Sequence, residues 1–261
     1  MQKIISIAKP YKKKNIFSYI NLFIYKIGEI LEIIIILSLW LYIFKNQTVL
    51  SSFTREEIIT YLIFGNIIGI ITGLLLKRIL KHELISKNSK LIIQNPFKYI
   101  GTVFIKSFGI NFLPFLAALI FDIILLYIFS GSFIINLDPL YLSIIVLMIA
   151  LAFITELFFI YLVNLYVFWT IKSKNLYTIL LRIKKFLAGS YLPLNMLSPT
   201  FLFASYMMPF AYSFFVPTQL YLKKIDITTG LKGILIQILW IIILYSLIQI
   251  SWYKKQKSDL H

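Results

Sequence analysis

The chain has 261 residues, 60% of them apolar, a mean hydropathy of +0.88 and a formal net charge of +16 at pH 7. A soluble domain averages roughly 45–50% apolar residues, so an ordinary soluble fold is excluded. The absence of cysteine excludes disulfides, thiolate catalysis and cysteine-based metal sites. The positive charge comes without an aromatic-and-basic groove or a binding motif, so no nucleic acid is expected as a partner. The apolar excess falls in blocks of about 20 residues, the length that a ~30 Å hydrocarbon core demands. Runs such as Ile33–Ile36 and Ile241–Leu244 do not alternate as barrel strands would, so the blocks predict helices. Richness in Ile, Lys and Asn resembles the output of an AT-rich microbial genome.

Residues 1–8 are mostly apolar and are followed by Pro10 and the block Tyr11-Lys12-Lys13-Lys14. Ile16, Ile20, Phe23 and Ile27 then recur at helical spacing. Residues 1–26 therefore predict a short interfacial helix, a break, and a helix that turns into the membrane. The basic block favours an anionic inner leaflet. The first apolar run is too long for a cleavable signal and lacks a small-residue cleavage site.

Spans are predicted at 27–44, 58–76, 110–129, 141–169, 177–197 and 231–252. The fold class is all-α, a single polytopic transmembrane domain over 1–261 with about six membrane helices. The fifth span carries Arg182, Lys184 and Lys185 in its first half, so its membrane entry falls after Lys185. With both termini in the cytosol, most Lys and Arg lie on the inner side, leaving Lys45, Arg55, Lys223, Lys224 and Lys232 outside. That bias sets the orientation. It places the chain in the plasma (inner) membrane of a prokaryote.

In the second span Gly65, Gly69 and Gly73 recur every four residues and share one helix face. Such a face lets backbones approach closely, within the subunit or across a dimer. Pro114 is expected to kink the third span. Residues 77–98 form the longest inner loop, with charge interleaved among apolar positions. It reads either as a loop on the headgroups or as a short helix that docks on a cytosolic partner. Residues 186–222 are apolar yet broken by Pro193, Pro199, Pro209 and Pro217. They predict an outer re-entrant helical hairpin between spans five and six. Backbone of that kind survives at depth only when packed in protein or lining a wet cavity.

Four acids lie within predicted spans: Glu29, Glu32, Asp122 and Glu156. Glu29 and Glu32 are three apart and share a face, and Lys26 is placed to pair with Glu29. A charge at the bilayer centre costs about 2.5–3.5 kcal/mol on insertion scales, so such groups face the protein interior. They either meet a polar or cationic part of a cargo, or fix packing through Lys26, Asn111, Asn164 or tyrosine hydroxyls. Catalytic signals are missing. No Gly-rich phosphate loop occurs, so ATP hydrolysis is not expected of this chain. His82 and His261 are the only histidines, and no serine sits in a nucleophile elbow. No cofactor or metal is expected on this chain.

Three features together resemble the membrane subunit of an ATP-binding-cassette exporter, of the ABC type-2 permease class. One is the interfacial helix ahead of the first span. Another is the inner-loop pattern Glu83-Leu84, Leu91, Pro96, similar to the family's acidic-leucine, leucine, proline stretch, with His82 where a glycine is usual. The third is Gly189, Pro193 and Leu194, followed by Pro209, Phe210 and Tyr212, with Pro199 standing for a second proline in shifted register. The likeness spans essentially the whole chain. It implies that Lys81, Glu83, Leu84, Lys87, Leu91 and Pro96 belong to a loop that transmits motion from a cytosolic ATPase. It implies that Gly189–Tyr212 lines or gates the outer exit. It implies two ATPase copies, which bind the ATP and Mg, and a second permease half, identical or related. The expected function is export of an amphipathic, drug-like, lipid-linked or glycan cargo. Two other readings stay open: a membrane-embedded lipid-modifying enzyme using Asp122 and Glu156, and a non-transporting immunity or sensor subunit.

Overall fold

The computed structural model describes residues 16–73, 115–170 and 174–258. Helix α1 (Ile16–Ile43) leads to a small ribbon of β1 (Val49–Leu50) and β2 (Phe53–Thr54), which pair antiparallel with Leu50 opposite Phe53. Ser51 and Ser52 both take positive φ, 47° and 69°, as a two-residue hairpin turn of the I′ kind requires. Helix α2 (Arg55–Gly73) returns from the ribbon. Helix α3 (Phe115–Ile128) climbs back, and α4 (Pro139–Thr170) descends again. Helix α5 (Lys174–Leu187) rises from the far end. A broken stretch follows, with 3-10 turns at Leu194–Met196 and Ala211–Ser213, α6 (Pro199–Met207) and α7 (Phe215–Tyr221). Helix α8 (Ile227–Ser258) closes the described chain.

Three helices start where the sequence supplies caps. Thr54 and Glu57 form a reciprocal box: the Thr54 N–H donates to Glu57 Oε2 at 2.8 Å and the Glu57 N–H to Thr54 Oγ1 at 3.3 Å. Asp138 accepts from the Leu140 N–H at 3.2 Å, with Pro139 as the first residue of α4. Ser198 accepts from the Phe201 N–H, again with proline next, at the start of α6.

Helix α2 is the centre of the core, with every residue from Ile58 to Ile63 buried. Tyr61 packs edge-on against Phe53, Phe214 and Phe215. The most extensive helix pairing is α4 with α8. Small residues permit it: a Cβ on Gly233 would stand 3.0 Å from Met148 of α4, and one on Gly230 would stand 3.1 Å from Ile144. Helix α7 is buried along its whole length. The ribbon end is tied by charge. Lys224 Nζ lies 2.8 Å from Glu57 Oε2, donates to the Ser52 carbonyl at 2.6 Å and sits 4.3 Å from the Phe53 ring centroid. Lys223 Nζ meets Asp138 Oδ2 at 2.9 Å.

Two stretches, Pro139–Val163 in α4 and Ile227–Tyr253 in α8, are long and apolar enough to cross a bilayer. The fifth predicted span needs correction. Residues 177–197 are not one helix, because α5 stops at Leu187. Its 14 residues extend only about 21 Å at 1.5 Å per residue, short of a ~30 Å core. The stop is a left-handed glycine. Gly189 has φ +77°, its N–H donates to the Phe186 carbonyl, and the Ser190 N–H reaches back to Lys185. That is the Schellman pattern.

Candidate functional site

Lys184 and Lys185 are consecutive on α5, so they project about 100° apart around the helix axis. They grip two different helices. Lys184 Nζ lies 2.6 Å from both carboxylate oxygens of Glu156 on α4. Lys185 Nζ lies 2.7 and 2.9 Å from those of Glu32 on α1, 153 residues away in sequence. The sequence places both lysines just before the membrane entry of the fifth span; the structure adds that each is paired with an acid of a neighbouring helix. An intramembrane carboxylate and an ammonium each relieve the other's desolvation, which is why the pairs form there.

Both pairs line one cavity of about 120 Å³. Glu29, Asn66, Ser190, Tyr191 and Ser213 add polar groups to its wall, and Ile33, Leu62, Ile70, Phe210 and Phe214 add apolar ones. Asn66 Nδ2 donates to Asp122 Oδ1 at 2.6 Å, joining α2 to α3 behind the wall. Asp122 and Glu156 are 2% and 5% exposed. Asn66, Lys184 and Lys185 are partners that the sequence reading did not name for these acids. The partners it named, Lys26, Asn111 and Asn164, lie outside the residues or side chains described.

Two of the three glycines of α2 differ in use. A Cβ on Gly65 would fall 2.2 Å from the Phe214 ring, so its missing side chain lets the broken stretch close on α2. Gly69 has nothing within 4 Å of that position and faces the cavity. Gly73 ends α2.

The broken stretch after α5 forms the roof. Its freed carbonyls are satisfied by side chains of the straight helices, the solution that irregular backbone needs in a water-poor setting. The Tyr61 hydroxyl donates to the Gly189 carbonyl at 2.6 Å. Trp40 Nε1 donates to the Tyr191 carbonyl at 3.4 Å, and Trp240 Nε1 to that of Met207 at 3.2 Å. Gln237 Nε2 bridges the carbonyls of Met148 and Tyr212 at 3.1 and 3.0 Å. Of the residues singled out from the sequence here, Gly189 turns the chain and Pro193 precedes a 3-10 turn whose Leu194 is fully buried. Pro199 opens α6 on the surface, and Pro209 is buried. Phe210 lines the cavity, and the Tyr212 hydroxyl donates to the Tyr206 carbonyl at 3.0 Å. Gln237 was missed, although a glutamine inside an apolar run is itself a signal of buried pairing.

Lys81, Glu83, Leu84, Lys87, Leu91 and Pro96 lie outside the described residues, as does the interfacial helix expected within 1–15. Among the described residues no group of three or more His, Asp or Glu is arranged to hold a metal ion. What the site does chemically is hold two opposite-charge pairs, one enclosed and one partly open, beside a cavity.

No curated protein and no solved structure matches this chain. A family model described as "ABC-2 family transporter protein" matches residues 30–258, which takes in both lysine–carboxylate pairs, the roof and the last helix. The chain belongs to that family of membrane transport proteins.

Proposed function

We propose that this chain is the permease subunit of an exporter, forming half of a path for an amphipathic, drug-like, lipid-linked or glycan cargo. Family membership over residues 30–258 carries this reading. Two cytosolic ATPase copies supply the energy, with ATP and Mg bound on them and none on this chain. A second permease half, identical or related, completes the path. Both termini lie in the cytosol of a prokaryotic plasma membrane, and the segment holding Lys81, Glu83, Leu84, Lys87, Leu91 and Pro96 passes the ATPase stroke to the helices. The Gly189–Tyr212 stretch caps the outer end. Its support is that hydrogen bonds from Tyr61, Trp40, Gln237 and Trp240 tie this broken backbone to α1, α2 and α8.

The test is purification of the full chain together with the ATPase encoded beside it, followed by nucleotide turnover in vesicles. Co-purification is expected, with turnover lost on combining Lys81→Glu and Glu83→Lys. A chain that captures no ATPase refutes the reading.

A further inference from the structure

The two lysine–carboxylate pairs of the cavity differ in burial. The Lys184 and Glu156 side chains are 15% and 6% exposed, whereas those of Lys185 and Glu32 are 32% and 35% exposed. The enclosed pair is expensive to open, because both of its charges have given up most of their hydration. The open pair, about a third exposed, is the easier of the two to separate, though each member still needs a counter-charge. An entering ion that took only one of its members would strand the other beside Ile33 and Leu62. A purely anionic group on Lys185 leaves Glu32 uncompensated, and a purely cationic group on Glu32 leaves Lys185. A group carrying both charges replaces both partners at once and leaves the balance unchanged.

Space and shape agree with that exchange. The cavity of about 120 Å³ has room for on the order of four waters. Gly69 keeps that room open. Lys185 Nζ itself lies 5.8 Å from the Tyr191 ring centroid, so the ring faces the ammonium that an entering anion would meet. We propose that the cavity is a subsite for a zwitterionic head group, an ammonium joined to a phosphate or carboxylate. Its anion sits on Lys185 and its cation on Glu32. Naming this group as part of the cargo rests on the permease reading above; its binding does not.

The experiment uses the full-length chain in detergent micelles and native mass spectrometry. The probes are phosphatidylethanolamine, phosphatidylglycerol, a cationic lipid and free phosphoethanolamine. The zwitterionic lipid is expected to be retained about tenfold over the other two, the scale of one charge-assisted hydrogen bond. Glu32→Gln removes that preference, and the reversed pair Glu32→Lys with Lys185→Glu restores it. Equal retention of the three lipids overturns the proposal. So does a reversed pair that melts like the parent and does not recover binding. Free phosphoethanolamine that displaces the lipid identifies a small soluble zwitterion as the source, and displacement by intact lipid alone identifies a membrane lipid. A chain that shows the preference but captures no ATPase keeps the subsite and loses the permease reading; the converse loses only the subsite.

Discussion

Glu156 and Lys184 are largely buried and paired at 2.6 Å, so removing either partner leaves a poorly hydrated charge without its counter-charge. Glu156→Ala or Lys184→Ala is expected to destabilise the chain by about 3–5 kcal/mol. Replacing both at once, Glu156→Leu with Lys184→Met, is expected to recover most of that loss. Thermal unfolding of the detergent-solubilised chain measures both, and equal damage from the double variant would show that shape, not charge, sets the cost. Gly65 is a steric case. Its Cβ would stand 2.2 Å from the Phe214 ring, so Gly65→Ala forces the ring or the helix to shift. Overpacking of this kind costs about 1–3 kcal/mol. Phe214→Leu in the same chain is expected to restore the melting temperature, because the clash is with the ring edge.

At the scale of elements, the helices were legible in the sequence but their ends were not. The apolar blocks locate α2, α4 and α8, yet each helix begins before its first apolar run: at Arg55, Pro139 and Ile227 rather than 58, 141 and 231. Helix starts are set by capping side chains such as Thr54, Glu57 and Asp138, which a reading by hydropathy leaves out. Helix α1 is described from Ile16, in keeping with the helical spacing of Ile16, Ile20, Phe23 and Ile27. The break after α5 was visible through its prolines, while the residue that makes the turn is Gly189. Gly189→Ala is expected to cost at least about 1 kcal/mol from its positive φ. The added Cβ also meets the Tyr61 hydroxyl at 2.9 Å. Tyr61→Phe leaves the Gly189 carbonyl without its donor, which is worth about 1–3 kcal/mol when buried. If the two variants combined lose no more than the worse one alone, they act on one joint, as a double-mutant cycle would reveal.

For the whole molecule, the acids of the cavity were readable one by one, whereas their partners were not. Glu32 and Lys185 are 153 residues apart, and no local pattern joins them. Arg182, Lys184 and Lys185 read from sequence as the basic lead-in of the fifth span, and only the packing of α5 brings two of them onto Glu32 and Glu156. The ribbon end adds a pH dependence. Lys223 holds the Asp138 carboxyl below its ordinary range, and the Thr228 and Thr229 hydroxyls do the same for Asp226. Because the folded values lie below the unfolded ones, the contribution is complete above the usual carboxylate value of about 3.9 and is lost as pH falls through the folded values. Melting followed from pH 7 down to about 3 should therefore fall less steeply for Asp138→Asn with Asp226→Asn than for the parent.

The order of synthesis gives the short α5 a further meaning. Glu32 and Glu156 leave the ribosome before Lys184 and Lys185 do. With Arg182 and two lysines in its last turns and only 14 residues, α5 is a poor substrate for insertion by itself. Its entry is expected to wait for earlier helices that already present the two acids, so that assembly is proofread by charge. A chain carrying Glu32→Gln and Glu156→Gln should then strand α5 at the membrane surface and be cleared by proteolysis during biogenesis. Pulse-chase labelling, with cysteines introduced along α5 to report its accessibility, would record that fate.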